Sequence, residues 1–438
     1  MYSDKFKEGI EKLSKARSPR EALSAWGYMG RDKKGKFMTI SLDEYNKNIY
    51  PDTLNRIISS NESSFIPYFE SGKLYFMDDN LLEEMIESEG KEVVFPIDYS
   101  IMLDTNYSSY IDKFVNNKDL SSLDNNIFRT IDILIREDFR YDYIFYIIEN
   151  YKNTFYNSQL GNVLSETELK AGYWQNLVSL EMFKNIDKEE YCTKGKIKYN
   201  ISKLEAQLIV DGFFSDVCSS QIGKEAMGNF LIIHKSLVLF LIGVIRIRFQ
   251  SKKSYHHKIK ELFEYMHNTI GVFFQREMII AHKYFINPQN VQLINKVNKN
   301  MTKENLLKSI ENFAWDFASP RIMEFFLNTR GEGRYLIPFF LSNDKNLRDL
   351  LKMFRVKGVI IDPDNLMPLS IPNEDFLFYF EKNEPDLDTN FYFEGEAIKR
   401  RQEILNSNKK NNFRCIEEEF SKLVTVMQCK WFTLKYNY

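Results

Sequence analysis

In a block of more than 200 residues, apolar side chains recur at helical spacing. The block runs from about residue 108 to residue 330. Apolar residues at i, i+3 and i+4 form one face of an amphipathic helix, and Gly and Pro, which interrupt helices, are scarce here. The pattern predicts a series of packed helices. Since 44% of the 438 residues are hydrophobic, the chain can bury a sizeable core.

The most apolar run of the chain, SLVLFLIGVI, spans Ser236 to Ile245. A membrane-spanning helix needs about 20 such residues, and Lys235 and Arg246 flank this run, so it is predicted to be a buried helix. The charged N-terminus lacks the apolar core of a secretion signal. The four cysteines form no CxxC pair, which argues against a zinc knuckle or a disulfide framework. These features favour a cytoplasmic protein with reduced thiols and no membrane partner.

Short apolar strands flank the helical block. On its N-terminal side, EVVFPIDYSIMLD contains two apolar runs, and the second ends at Asp104. On its C-terminal side, the strand YLIPFFL is followed by a helix that Ser342 or Asn343 would cap, and then by the strand GVII at 358–361. Strand, helix and strand in succession predict a right-handed crossover in a parallel sheet. The fold class is therefore predicted to be α/β with a long helical insertion.

Acidic residues stand at the ends of these strands and within two apolar helices. Asp104 ends the first strand and Asp344 follows the strand YLIPFFL, whereas Asp316 and Glu149 lie in aromatic-rich helical segments. Each acid has an ordinary alternative, as a helix cap, a solvated position or a surface charge. In open α/β sheets, however, chemistry is concentrated at the carboxyl edge. The four acids are therefore candidates for one site.

The strings MLDTN and LSNDKNL, with an acid on the helix before the second string, resemble the PIN-domain nucleases. In that family a Glu follows the first Asp by some forty residues, and here Glu149 follows Asp104 by 45. The resemblance covers residues 92–150 and 305–365, about a quarter of the chain. The 167 positions from Glu149 to Asp316 exceed what a compact PIN domain needs and imply a large helical insertion. Rival candidates for the second acid are Glu166, Glu168 and, most strongly, Glu277.

The resemblance implies a PIN-like parallel sheet flanked by helices and a site that binds Mg²⁺ or Mn²⁺. Carboxylates without Cys or His select these hard cations over zinc. The ligands would be Asp104, Glu149, Asp316 and Asp344. Two further residues, Asn106 and Ser342, would donate hydrogen bonds that fix the rotamers of these carboxylates.

The substrate that the resemblance favours is RNA. The segment RIRFQSKKSYHHKIK at 246–260 holds eight Lys, Arg or His residues with aromatic residues between them. Basic side chains bind phosphates and aromatic rings stack on unpaired bases, although a solvated loop between two helices gives the same pattern. His256 and His257 have no acid at ligand spacing, so no metal is assigned to them. The candidate RNA-binding residues are Arg246, Arg248, Lys252, Lys253 and Arg321. Arg321 and Arg334 lie near two of the proposed acids, where they could bind a phosphate or form simple ion pairs.

The sequence thus predicts a metal-dependent endoribonuclease, and the resemblance extends this to RNA turnover or to a toxin-like or defence nuclease. The alternative is a catalytically inactive PIN-like scaffold that binds RNA or a protein partner through its insertion. A regulatory protein partner or a homo-oligomer is compatible with either function. The predicted organisation is an N-terminal segment, 1–91, a PIN-like domain, 92–365, with its insertion at about 155–300, and a C-terminal α+β extension, 366–438.

Overall fold

The computed structural model shows a mixed α/β protein that is mostly helical. It describes residues 3–42, 65–69, 74–94, 97–118, 124–137, 140–143, 145–150, 166–216, 220–327, 335–363 and 368–428. The chain divides into two compact units. Unit 1 comprises residues 1–230, 322–344 and 359–370, and unit 2 comprises 231–321, 345–358 and 371–438.

Both units contain α-helices. Within the described residues of unit 1 they include α1 (Asp4–Lys15), α2 (Pro19–Tyr28), α3 (Asp79–Glu87), α4 (Thr105–Val115), α5 (Asn125–Arg136), α6 (Glu166–Lys184), α7 (Lys188–Lys194), α8 (Lys203–Phe214) and the start of α9 (Gln221–Gln250). Residues 145–150, which contain Glu149, are also helical. Most of α9 belongs to unit 2, together with α10 (Tyr255–Tyr265), α11 (Gln275–Ile286), α12 (Gln292–Asn295), α13 (Lys303–Leu327) up to Arg321, α14 (Lys345–Met353), α15 (Phe376–Asn383), α16 (Gly395–Lys410) and α17 (Cys415–Met427).

Several of these helices begin where a side chain satisfies the free backbone N–H groups of the first turn. Ser18 accepts a hydrogen bond from the amide of Glu21 at the start of α2. Ser202 and Glu205 form a complete capping box at the start of α8, in which two otherwise unpaired amides are satisfied reciprocally. The local sequence therefore determines where these helices start.

Two four-stranded sheets are present among the described residues. The first has the order β3-β1-β7-β8, with β1 (Phe37–Ser41) antiparallel to β3 (Leu74–Asp78). Its other strands are β7 (Val356–Ile361) and β8 (Leu369–Pro372).

The second sheet contains the strand that ends at Asp104. Its order is β2-β6-β4-β5. The central strands β4 (Ile97–Leu103) and β6 (Tyr335–Leu341) are parallel, and β5 (Arg140–Asp142) is parallel to β4. The edge strand β2 (Phe65–Pro67) is antiparallel to β6. All seven residues of β6 are buried, as expected for a central strand that is covered on both faces.

The prediction that β6, the helix after it and β7 form a crossover within one parallel sheet is wrong. The helix α14 does separate β6 from β7, but the two strands lie in different sheets because β7 pairs with β1. An apolar strand pattern shows that a segment can be buried in a sheet, and it carries no information on which distant strand will be the partner. The PIN-like sheet of the prediction therefore corresponds at most to β5, β4 and β6.

The apolar run at 236–245 lies within α9 and is buried, as predicted. Leu237, Leu239, Phe240 and Leu241 have no exposed surface. Among the described residues, one helix, Gly223–Gln250, is long and apolar enough to cross a membrane by composition alone. An 18-residue stretch of it has a mean hydropathy of 2.2, and 78% of that stretch is buried within the protein. A buried core helix passes the same test.

Candidate functional site

The carboxyl ends of β4 and β6 meet at one edge of the second sheet. The two parallel strands are paired so that Leu103 lies opposite Leu341. Asp104 and Ser342 are therefore the first residues beyond each strand, and both are buried. The amide of Asp104 still donates to the carbonyl oxygen of Leu341, at 3.2 Å, so the pairing holds the acid in place.

Asp104 is also the N-cap of α4. Its carboxylate accepts a hydrogen bond from the amide of Tyr107 at 2.6 Å, and the Ser342 hydroxyl donates to the same carboxylate. Ser342 in turn accepts from the amide of Asp344 at 3.1 Å. The helix cap and the strand pairing thus fix Asp104 from two sides. Asp104 therefore both caps a helix and lies at the carboxyl edge of the sheet.

Glu149 lies beside Asp104. The hydroxyl of Thr105, the first residue of α4, donates to the Glu149 carboxylate. The side-chain amide of Asn150 donates to the Thr105 hydroxyl at 3.4 Å and to the carbonyl oxygen of Tyr146 at 2.7 Å. This short network holds the second carboxylate next to the first.

Burial and this neighbour change the acidity of Asp104. The pKa of its carboxyl is raised to about 7, mainly by burial and to a smaller extent by the negative charge of Glu149, while hydrogen bonds from Tyr107, Ser342 and the amide of Asn106 act in the opposite direction. Burial and the charge of Asp104 also raise the pKa of the nearby Tyr110 hydroxyl. Near neutral pH the protonated and ionised forms of this carboxyl are therefore of similar free energy.

A raised pKa predicts that Asp104 makes the protein less stable as the pH increases. Between pH 4 and pH 7 the folded protein keeps a proton on Asp104 that the unfolded chain has released, so the free energy of unfolding falls over this range. An asparagine side chain at this position would carry no charge at any pH. We therefore expect Asp104→Asn to gain stability relative to wild type on going from pH 4.5 to pH 7.5, by a few kcal/mol at most.

The measurement is urea unfolding of both proteins at the two pH values in a buffer with EDTA. Asp124 provides a matched control, since it caps α5 by accepting from the amide of Asn126 and is exposed. Asp124→Asn should show the same offset from wild type at both pH values. An equal offset for Asp104→Asn would mean that this carboxyl is ionised throughout the range.

The structure places the other predicted acids as follows. Asp344 lies two residues beyond Ser342 at the same edge and is half-buried. Asp316 is half-buried on α13 and belongs to unit 2, whereas Asp104, Glu149 and Asp344 belong to unit 1. Glu277 is buried in unit 2. The side chains of Glu166 and Glu168, and all of Arg334, lie outside the described residues.

A cage of three or more His, Cys, Asp or Glu side chains arranged to hold a metal ion does not occur among the residues that the structure describes. The carboxylates that it brings together are those of Asp104 and Glu149. Mg²⁺ usually keeps several waters and binds proteins through one or two carboxylates. The donor set at this edge, two carboxylates with hydroxyl neighbours, therefore fits a hydrated Mg²⁺ or Mn²⁺.

The predicted RNA-binding residues fall into two groups. Arg321 donates twice to the carboxylate of Glu277, once at 2.8 Å, and Arg246 lies 3.4 Å from Glu419. The other residues are not in such pairs within the described chain: Arg248 is half-buried, and Lys252 and Lys253 are exposed.

Two sets of residues were missed by the sequence analysis. Thr105 and Asn150, which connect the two carboxylates, are neighbours of predicted acids, so a search for hydroxyl and amide side chains next to them would have found both. The second set is a cluster in unit 2, where His256 and His282 both contact Glu384. His256 and Glu384 are 128 residues apart, and no local signal connects them.

Comparison of the chain with protein-family models, curated proteins and solved structures found no match.

Proposed function

We propose that this chain is a PIN-like endoribonuclease that depends on Mg²⁺ or Mn²⁺, with its active site at the carboxyl edge of the second sheet. The observation that carries the proposal is the buried Asp104 carboxyl, which ends the central strand β4 and lies beside Glu149. The parallel strands β5, β4 and β6 support it, because their carboxyl ends share one edge, where open α/β sheets hold their ligands.

Asp104 is buried and Glu149 is half-buried, and two such carboxylates repel each other, by about 3 kcal/mol at 5 Å for an effective dielectric constant of 20. Part of this repulsion is relieved when Asp104 keeps a proton near pH 7. A divalent cation relieves it more fully and displaces that proton. The site is thus suited to a cation in a way that a single helix cap is not.

Asp104 and Glu149 would hold the ion, and Asp344 is a third carboxylate at the same edge. When bound, the ion supplies an activated water and offsets the negative charge that develops on a phosphodiester during in-line attack. The Ser342 hydroxyl donates to Asp104 and the Thr105 hydroxyl donates to Glu149. These donors fix the carboxylate rotamers, which preserves the geometry that the ion requires.

The experiment is cleavage of 5′-labelled single-stranded RNA in Mn²⁺, compared between wild type, Asp104→Asn and Asp344→Asn. Asn is as good an N-cap as Asp, so Asp104→Asn should keep the fold while losing a charged ligand. We expect it to lose at least about 100-fold in the Mn²⁺-dependent rate, which corresponds to about 2.7 kcal/mol of transition-state stabilisation. The cap control Asp124→Asn should stay within about two-fold of wild type.

Equal rates for wild type and both site variants would remove this proposal. The second candidate, a catalytically inactive scaffold that binds RNA or a protein partner, would then be favoured. It is supported by the finding that a three-ligand metal cluster is missing from the described residues. A scaffold would retain RNA binding in all variants and cleave in none.

A further inference from the structure

Four side chains of unit 2 form one hydrogen-bonded series. The Tyr379 hydroxyl lies 2.8 Å from Nδ1 of His282, and Nε2 of His282 lies 2.7 Å from Oε1 of Glu384. The other carboxylate oxygen, Oε2, lies 2.6 Å from Nδ1 of His256. The side chains of His282 and Glu384 are buried, at 1% and 5% exposure, whereas that of His256 is 54% exposed. The series therefore runs from the core to the surface.

The hydrogen bonds determine where the protons of the buried members lie. A carboxylate only accepts, so Nε2 of His282 must donate to Glu384, and Nδ1 of His282 then accepts from the Tyr379 hydroxyl. Burial lowers the pKa of His282 and raises the pKa of Tyr379 to about 12. Both are therefore neutral at pH 7, and Glu384 is held rigidly by a buried donor.

The same argument applies to His256. Its Nδ1 must donate to Glu384, so in the neutral ring the free lone pair is on Nε2. A histidine whose tautomer and orientation are fixed by a buried carboxylate is the arrangement that enzymes use for a general base. Each oxygen of Glu384 is engaged by a different ring, which suits proton transfer rather than coordination of one ion by all three groups.

The surroundings of His256 favour an anionic substrate with unpaired bases. Lys252 and Lys253 precede it and are exposed. The ring of Tyr255 lies 3.9 Å from the His256 ring, centroid to centroid, at 35°. Exposed cations bind phosphates and aromatic rings stack on bases. Single-stranded RNA combines both features with a 2′-hydroxyl, a nucleophile that needs only a base.

We propose that His256 is the general base of a second site, which cleaves RNA without a metal ion. Nε2 of His256 takes the proton of a ribose 2′-hydroxyl, and the 2′ oxygen forms a bond to the adjacent phosphorus. The bond from phosphorus to the 5′ oxygen breaks, and that oxygen takes a proton from solvent. The products are a 2′,3′-cyclic phosphate and a 5′-hydroxyl. Glu384 is a positioning residue. The site does not depend on Asp104.

The test is cleavage of labelled single-stranded RNA by the full chain in EDTA, with analysis of the product ends. Wild type should give 2′,3′-cyclic phosphate ends and leave a fully 2′-deoxy substrate intact. His256→Gln should lose at least about 100-fold in this rate, within the range for a general base. Because His256 is half-exposed, this variant should fold normally, which far-UV circular dichroism would check.

His257 is a matched control, since its Nε2 lies 3.1 Å from the Lys253 ammonium rather than beside a carboxylate. His257→Gln should stay within about two-fold of wild type. Glu384→Gln should lower the rate about 10-fold and displace its pH profile, which a loss of packing alone would not do. The proposal would be overturned if wild type did not cleave RNA in EDTA, or if His256→Gln cleaved it at the wild-type rate. A variant that loses only the Mn²⁺-dependent cleavage and keeps the cleavage in EDTA would bear on the site at Asp104 and not on this one.

Discussion

Replacement of Arg321 by alanine is expected to lower the free energy of unfolding by about 3–5 kcal/mol. Arg321 on α13 makes a bidentate ion pair with Glu277 on α11. The Arg321 side chain is 14% exposed and that of Glu277 is 1% exposed. The guanidinium also lies over the ring of Phe274, 5.1 Å from its centroid. Without Arg321, a carboxylate that is almost completely buried loses its counter-charge, and such a loss is strongly destabilising.

A double variant separates the loss of charge from the loss of packing. Arg321→Met combined with Glu277→Leu replaces the pair by apolar side chains of similar volume, and such replacements are often neutral or stabilising. We expect it to recover most of the stability in chemical denaturation, whereas Arg321→Met alone should remain destabilised. A decrease below about 1 kcal/mol for Arg321→Ala would show that the pair contributes little. That result would make Arg321 available again as an RNA-binding residue.

Gly271→Ala is expected to destabilise unit 2 by about 3 kcal/mol. Gly271 ends the π-helix Met266–Ile270 with a φ of +77°, a conformation that costs an L-residue about 1–2 kcal/mol. A Cβ at this position would also lie 2.6 Å from the backbone carbonyl oxygen of Arg401 and 2.6 Å from the amide nitrogen of Leu405. Both atoms belong to the backbone of α16, which cannot rotate away, so the helix itself would have to move.

Gly195→Ala provides the control for the conformational part of this effect. Gly195 has a φ of +65°, and a Cβ there would have no heavy atom within 4 Å. Gly195→Ala should lower the free energy of unfolding by only about 1 kcal/mol. Unfolding curves of the two variants should therefore differ by about 2 kcal/mol. Equal losses would mean that α16 is displaced without strain.

The two proposed sites lie in different units and use different chemistry, so they can be tested separately. The site in unit 1 requires a cation between Asp104 and Glu149, and a chelator abolishes it. The site in unit 2 requires the free Nε2 of His256, and a chelator leaves it active. The product ends distinguish the two, because attack by water leaves no cyclic phosphate.

The position of Asp104 could be predicted from the sequence because it depends on local patterns. An apolar run that ends in Asp-Thr-Asn indicates a strand followed by a capped helix, and the structure has both. The strand at Tyr335–Leu341 and the helix after it follow from the same kind of pattern. Helical periodicity and caps depend on neighbours within about four residues, so they are present in the sequence itself.

Several contacts between segments far apart in the chain could not be predicted. The pairing of β7 with β1 and the contact of His256 with Glu384 join segments that carry no mutual signal. For Arg321 the sequence left open a phosphate or a simple ion pair, and the structure shows an ion pair with Glu277, a residue that was itself a candidate ligand. The sequence does not show whether a charged side chain faces solvent or a buried counter-charge. Removal of the side chain lowers the free energy of unfolding by several kcal/mol in the second case only.

The helical character of the chain, the buried run within α9 and the acid that ends β4 follow from local interactions, since periodicity and capping involve only near neighbours. Three features follow only from the folded chain: the acid that lies beside Asp104, the strand that β7 joins and the carboxylate that orients His256. These features depend on how distant segments pack, and packing is set by the shape and burial of the whole unit rather than by any short stretch of residues.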